Sequence, residues 1–315
     1  MDRRTFVKNT GLAAVSIPFM GGSNPAPSLQ KKHPICIFSK HLQWLDFEDV
    51  GKYVRDLGFD GVDLAVRRKG HVLPEEVEIV LPRAIELIKK SGVEVPMMAT
   101  NIADEDSPYA LSVIRTAAAH GIEFYRMAYI NFDNSMSMEA NLLSIRSSME
   151  KLATLNEKHG IKASYQNHAG TALGSAIWDM WYVLKEMEST YVGLQFDVRH
   201  AVVEGGKSWE NEMRLAKDFT NCTVLKDFHW EKLSNGKWDI KNVPMGEGMV
   251  DFDTYFEHYK NFNFQGPISV HIEYPMFDEM DKTLTKKEKF KFATKFLSKD
   301  LEFIRNGMKK AGITL

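Results

Sequence analysis

The stretch Gly160-Ile161-Lys162-Ala163-Ser164-Tyr165-Gln166-Asn167-His168 decides the fold. Ahead of it, Leu142, Ile145, Met149, Leu152 and Leu155 recur at helical spacing and stop at Gly160, a residue suited to the left-handed turn that ends a helix. Behind it, Ile177, Met180, Trp181, Leu184 and Met187 begin another apolar stripe of the same period. Lys162–His168 therefore reads as a β-strand between two helices. Working outward, strands are expected at Ile35–Ser39, Gly61–Val66, Glu94–Asn101, Phe124–Ile130, Gly193–Val198, Thr223–Phe228 and Pro267–Tyr274 as well. Helical faces lie between them, such as Phe47, Val50, Tyr53, Val54 and Leu57 ending at Gly58, and the chain closes on Phe292, Phe296, Leu297, Leu301 and Ile304. Unbroken βα alternation demands parallel strands with right-handed crossovers. Eight such units close into an α/β (β/α)8 TIM barrel more readily than into an open doubly wound sheet. One domain is expected, spanning 33–315.

Residues 1–32 read differently. Asp2-Arg3-Arg4-Thr5-Phe6-Val7-Lys8 precedes a mildly apolar run from Thr10 to Met20 and then Gly21-Gly22-Ser23-Asn24-Pro25-Ala26-Pro27. Paired arginines, a Phe two positions on and a Lys after it resemble a twin-arginine export signal followed by a linker; the plainer alternative is a frayed basic tail. The apolar run of about eleven residues falls short of the ~20 needed to span a bilayer. The expected location is the periplasm or another exported compartment, without stable membrane insertion.

The chain of 315 residues is 44% hydrophobic and 26% charged, which suits a globular protein with a large core. Forty Lys plus Arg against forty-two Asp plus Glu leave a formal charge of −2, so no global field draws it to nucleic acid or anionic membrane. A small neutral partner fits better. Cys36 and Cys222 fall in or beside the first and seventh expected strands, which the eighth separates, so neither a disulfide nor a cysteine metal site is expected.

In a closed βα barrel the strand ends meet at one mouth. Polar residues gather at the last four: Gln166 and His168, Asp197 to His200, Lys226 to His229, and His271 with Glu273. Together with Phe38-Ser39-Lys40, Gly70-His71-Val72-Leu73-Pro74 and Val243-Pro244-Met245-Gly246-Glu247-Gly248, they resemble the xylose isomerase-like sugar isomerase and epimerase family over the whole barrel. That resemblance implies one divalent metal, held by an acid from strand five, an Asp from strand six, a His from strand seven and a Glu from strand eight. Asp197 and Glu273 match, and His200 matches a position that contacts substrate oxygen. It also makes a dimer or tetramer unsurprising.

Two positions depart from the pattern. Gln166 stands where many relatives have Glu, and Val224 replaces the strand-seven His. His229 is the candidate to supply the missing nitrogen. A set of Asp197, Glu273, Gln166 and His229 suits Mn²⁺, Mg²⁺, Co²⁺ or Zn²⁺ without selecting among them. The alternative for Asp197 and Glu273 is an ion pair with Arg199 or Lys226 in the mouth; for His229, packing on Trp230; for His271, support one layer below Glu273. Lys226 reaches the metal level if it and Val224 point inward, and then Asp227 faces a helix or a loop cation. His71, His168, Arg199 and Trp230 are expected to bind substrate, and one or two of Trp44, Trp209, Trp230 and Trp238 to contact it. Gly246 and Gly248 alone are too weak a signal for a phosphate loop.

The function these readings imply is metal-assisted isomerisation or epimerisation of a non-phosphorylated sugar or keto-sugar through an enediolate. Glu273 would be the base, and His200, Lys226 or water the second proton carrier. Keto-glycoside elimination or hydration on the same site, and a non-catalytic sugar-binding barrel, are the alternatives. Abasic-site endonucleases share the barrel but use a denser ligand set and need phosphate attraction that a charge of −2 does not offer.

Overall fold

The computed structural model describes residues 33–276 and 283–314. The expected export signal lies outside these described residues. The elements run β1 (Ile35–Phe38), α1 (Phe47–Leu57), β2 (Gly61–Ala65), α2 (Val77–Lys89), β3 (Glu94–Ala99), α3 (Ala110–Ala119), β4 (Phe124–Arg126), α4 (Met138–His159), β5 (Lys162–Gln166), α5 (Ile177–Leu184) and β6 (Val192–Asp197). They continue with α6 (Val198–Gly205), α7 (Trp209–Ala216), β7 (Thr220–Leu225), β8 (Asp227–Lys232), β9 (Trp238–Val243), α8 (Phe252–Asn261), β10 (Ile268–Val270) and α9 (Lys286–Lys310). Eight parallel strands close a barrel in the order β1-β10-β7-β6-β5-β4-β3-β2, as the alternation predicts.

Local chemistry sets the helix ends. Ser137 caps α4 by accepting from the Ala140 N–H at 3.1 Å, and Gly160 ends it at φ 71°, a conformation that costs a residue with a Cβ. Thr285 and Glu288 form a reciprocal capping box at the start of α9. Outward strand residues such as Ile37, Leu64, Tyr165, Phe196 and Leu225 share one core with the inner faces of the helices. Inward residues are segregated from it. Cys36, Met97 and Cys222 fill the N-terminal end of the bore, both cysteines buried and free, and Phe38, Ala65 and Ala99 lie nearer the mouth.

One feature departs from expectation. β7 ends at Leu225, and the residues read as its continuation begin an antiparallel hairpin in which Asp227 pairs with Val243 and Lys232 with Trp238. Asp227 makes this junction. Its carboxylate accepts from four backbone N–H groups: Phe228 at 2.8 Å and Val250 at 3.2 Å on Oδ1, Gly246 at 3.0 Å and Gly248 at 2.9 Å on Oδ2. A Cβ at Gly248 would stand 2.2 Å from Asp227 Oδ1, so the loop can wrap the carboxylate only without a side chain there. Asp227 thus binds backbone rather than a helix or a cation, and the two glycines serve it rather than a phosphate. Among the described residues no helix is long and apolar enough to cross a membrane.

Candidate active site at the barrel mouth

Asp197 is the last residue of β6 and the N-cap of α6, where its Oδ1 accepts from the His200 N–H at 3.2 Å. Asn167, one residue past β5, grips its backbone at two points, donating to the Asp197 carbonyl at 2.9 Å and accepting from its N–H at 2.7 Å. Both side chains are almost wholly buried. The carboxylate is therefore aimed into the bore by a strand end, a helix start and a neighbouring amide.

Lys226 follows β7 and points inward, settling the facing that the sequence leaves open. Its Nζ lies 3.1 Å from Asp197 Oδ2, 3.0 Å from Glu273 Oε1 and 2.8 Å from His200 Nε2. Three side chains therefore surround Nζ. The ion-pair alternative for Asp197 and Glu273 is thus the geometry found, with Lys226 as the cation. Beside it, Gln166 donates from Nε2 to Asp197 Oδ2 at 2.7 Å, while its Oε1 accepts from Arg126 at 3.1 Å and Tyr129 at 2.9 Å. Only this amide orientation satisfies all three partners. It turns the amide oxygen towards two donors.

His200 meets N–H groups on both ring nitrogens, since its Nδ1 lies 3.1 Å from the Ala169 N–H and 2.9 Å from Arg199 Nη1. A neutral imidazole has a single lone pair on nitrogen, so one side gives way. Burial, followed by the Lys226 charge, drives the His200 pKa far down, so the ring is neutral. Burial likewise lowers His168, whose ring packs at a tilt against His200 at 3.9 Å and Tyr129 at 4.8 Å between centroids.

Glu273 differs from Asp197 in exposure. Its side chain is 28% accessible, against 0% for Asp197. Burial by itself would raise its pKa, but the Lys226 ammonium, His271 and Arg199 outweigh that and hold it well below the usual carboxylate range. Oε1 is committed to Lys226, and among the described residues no protein donor reaches Oε2. His271 lies underneath, its Nδ1 4.0 Å from Glu273 Oε1 and its Nε2 3.8 Å from Asp63 Oδ2, stacked on Phe38 at 4.6 Å. It lies in the layer below, beyond hydrogen-bond reach of Glu273.

The remaining candidates divide. Arg199 is buried, stands 5.5 Å from the Phe228 ring and donates to Asn242 of β9 at 2.6 Å, tying the hairpin to the site. His71 packs at Ser39, 3.0 Å from its hydroxyl, with Nε2 buried. Trp230 is 40% exposed on the hairpin and packs edge-on against Phe228. Trp44 and Trp209 are structural, the first against Tyr53 and Phe290, the second against His258. Arg126, Tyr129, Asn167 and Asn242 are site residues that strand-end reading passes over. Arg126 and Tyr129 carry the available signal, since they stand in and just after the fourth strand.

The donor set expected for a divalent ion is not assembled. Among the described residues no three His, Cys, Asp or Glu side chains converge in a way that holds a metal. His229 lies on β8, in register with Lys241, and does not join Asp197 and Glu273. Val224, in register with Asp197 and Ser269, offers no donor atom. Gln166 spends its oxygen on Arg126 and Tyr129.

Known proteins resemble this chain over most of its length. An L-ribulose-5-phosphate 3-epimerase of Escherichia coli is 25% identical over 264 residues, covering 78% of this chain and 88% of the epimerase. An uncharacterized protein of Methanocaldococcus jannaschii is 24% identical over 126 residues, and the match spans only 41% of that protein's length. Among solved structures, the IOLI protein with a bound zinc atom superposes with a TM-score of 0.69 at 13% identity, covering 88% of this chain and 99% of that one. A 3-keto-D-glucoside 4-epimerase from E. coli gives 0.64 at 13% identity, covering 87% and 100%. These structures share the fold. The profile of the xylose isomerase-like TIM barrel family matches residues 52–299, well over half of the sequence, and the chain belongs to that family.

Proposed function

We propose that this protein is an exported isomerase or epimerase that moves a proton next to the carbonyl of a non-phosphorylated sugar or keto-sugar. The observation that carries the reading is Glu273: one carboxylate oxygen anchored on buried Lys226, the other without a partner among the described residues, at the open end of the barrel. Such a group is ionised at neutral pH and placed to accept a proton from carbon. Oε2 takes the proton, the C–H electron pair passes into an enediolate, and the positive charge of Lys226 stabilises the oxygen that becomes anionic. Reprotonation from Glu273, from the Lys226–His200 pair or from water completes isomerisation or epimerisation. The epimerases among the resembling proteins favour this class of chemistry.

Gln166 favours a second outcome on the same site. An amide with Nε2 on Asp197 and Oε1 on Arg126 and Tyr129 cannot serve as an opposing base. One-sided proton removal followed by loss of a β-substituent, the keto-glycoside lyase or hydratase reading, needs no opposing base. Incubation with candidate keto-sugars in deuterated water, read by NMR and mass, separates these. Deuterium at one carbon with an isomeric product supports the first reading, and an unsaturated or hydrated product supports the second. Glu273→Gln should abolish uptake in either case. Uptake that survives this substitution overturns the base assignment, and sugar binding without any exchange points to a non-catalytic barrel.

A further inference from the structure

The mouth contains a cation, but it is a side chain. Lys226 Nζ sits among Asp197 at the end of β6, His200 in the first turn of α6 and Glu273 after β10, at 2.8–3.1 Å, between the two carboxylates that a bound ion would share. The positions that depart from the family pattern agree with this. Val224 removes a nitrogen ligand beside Asp197, and Gln166 removes a negative charge while donating an N–H to Asp197 Oδ2, the same oxygen that Lys226 uses. With a fixed ammonium in place, the site needs one carboxylate fewer to balance its charge. A divalent ion shared by Asp197 and Glu273 would have to lie within a few ångströms of that ammonium and pay the repulsion.

We infer that Lys226 is the resident cation of this site, taking over the role of the divalent ion: its ammonium holds Asp197 and Glu273 in the resting protein and exchanges Glu273 for an oxygen of the bound sugar. The first half stands on geometry alone; the second rests on the proton chemistry proposed above. Nζ already has three close neighbours at 2.8–3.1 Å, so a substrate oxygen reaches it only by displacing one of them. Asp197 and His200 are 0% and 2% exposed and locked by Gln166, Asn167 and the start of α6, whereas Glu273 is 28% exposed and its carboxylate has no other hydrogen bond among the described residues. Glu273 is therefore the group that lets go. Substrate binding then does two things at once, seating an oxygen on a positive charge and releasing the carboxylate that removes the proton.

The test is titration of the purified full chain with Mn²⁺, free ion being read by electron paramagnetic resonance and bound metal by elemental analysis. The wild-type protein should carry no stoichiometric metal and show no saturable Mn²⁺ site up to about 0.1 mM. Lys226→Ala, which leaves Asp197 and Glu273 without their cation and opens room for a hydrated ion, should bind one Mn²⁺ roughly tenfold or more tightly than wild type. One tightly bound equivalent in the wild-type protein overturns the inference, as does a folded Lys226→Ala that binds no more tightly. The wild-type titration decides the matter by itself if that variant fails to fold. Deuterium uptake that requires added Mn²⁺ would sink the inference and keep the proposed chemistry, while absence of uptake on every sugar would sink the chemistry and leave the Mn²⁺ result standing.

Discussion

Lys226→Met isolates the charge, because methionine keeps the unbranched stem of lysine and opens little space. The Asp197 carboxylate, 0% exposed, would be left with two neutral donors, Gln166 Nε2 at 2.7 Å and the His200 N–H at 3.2 Å. Removing one partner of a buried ion pair strands the other charge and costs about 3–5 kcal/mol. Glu273 is 28% exposed, so water screens part of its share of this loss. At ~2 °C per kcal/mol for a chain of this size, the melting temperature should fall by roughly 6–10 °C. Urea denaturation followed by tryptophan fluorescence measures the difference directly. The pH dependence has a definite sign. Glu273 is depressed in the folded protein, so its contribution is present above the ordinary glutamate pKa of about 4.3 and is lost as pH falls through the folded value. Lys226→Met removes the largest of the effects that lower it, and the gap between variant and wild type should narrow from pH 7 to pH 3. A difference below about 1 kcal/mol at pH 7, or a gap that widens in acid, would refute the view that this ammonium compensates Asp197.

The same depression places the acid limb of turnover below the ordinary glutamate range, and Lys226→Met should move that limb upward, because burial is then less opposed; a pH profile of deuterium uptake reads the shift. Asn167→Leu removes both bonds to the Asp197 backbone and should cost about 2–3 kcal/mol in stability while lowering kcat more than it raises KM, measured by denaturation and steady-state kinetics. Asp227→Ala leaves four backbone N–H groups without their carboxylate and should cost about 3–5 kcal/mol, with hydrogen exchange accelerated across residues 244–250 and the hairpin. Gly248→Ala should reproduce that loosening even though the carboxylate remains, since its Cβ would stand 2.2 Å from Asp227 Oδ1.

Periodicity made the barrel legible. Each unit declares itself within about 40 residues, through an apolar stripe, a glycine stop and a short β-rich run, and the eight units leave closure as the economical arrangement. Asp197 and Glu273 could be picked out because a polar residue at a strand end has few structural reasons to be there. The hairpin was less visible: Asp227-Phe228-His229-Trp230 continues the alternation of β7, and the break at Lys226 depends on which backbone groups Asp227 finds in the loop that returns 19–23 residues later.

From the sequence alone came the eight strands, their parallel order and the pair of carboxylates at the mouth, because each is written in contacts a few residues apart. Tertiary structure alone decided what stands between those carboxylates. Lys226 and Val224 could have faced either side of their strand, and Gln166 could have offered a cation its oxygen. Only closure of the barrel set Lys226 between Asp197 and Glu273 and turned that oxygen towards Arg126 and Tyr129. The physical reason is that a charge takes its role from partners within about 4 Å, and here those partners come from strands far apart in the chain.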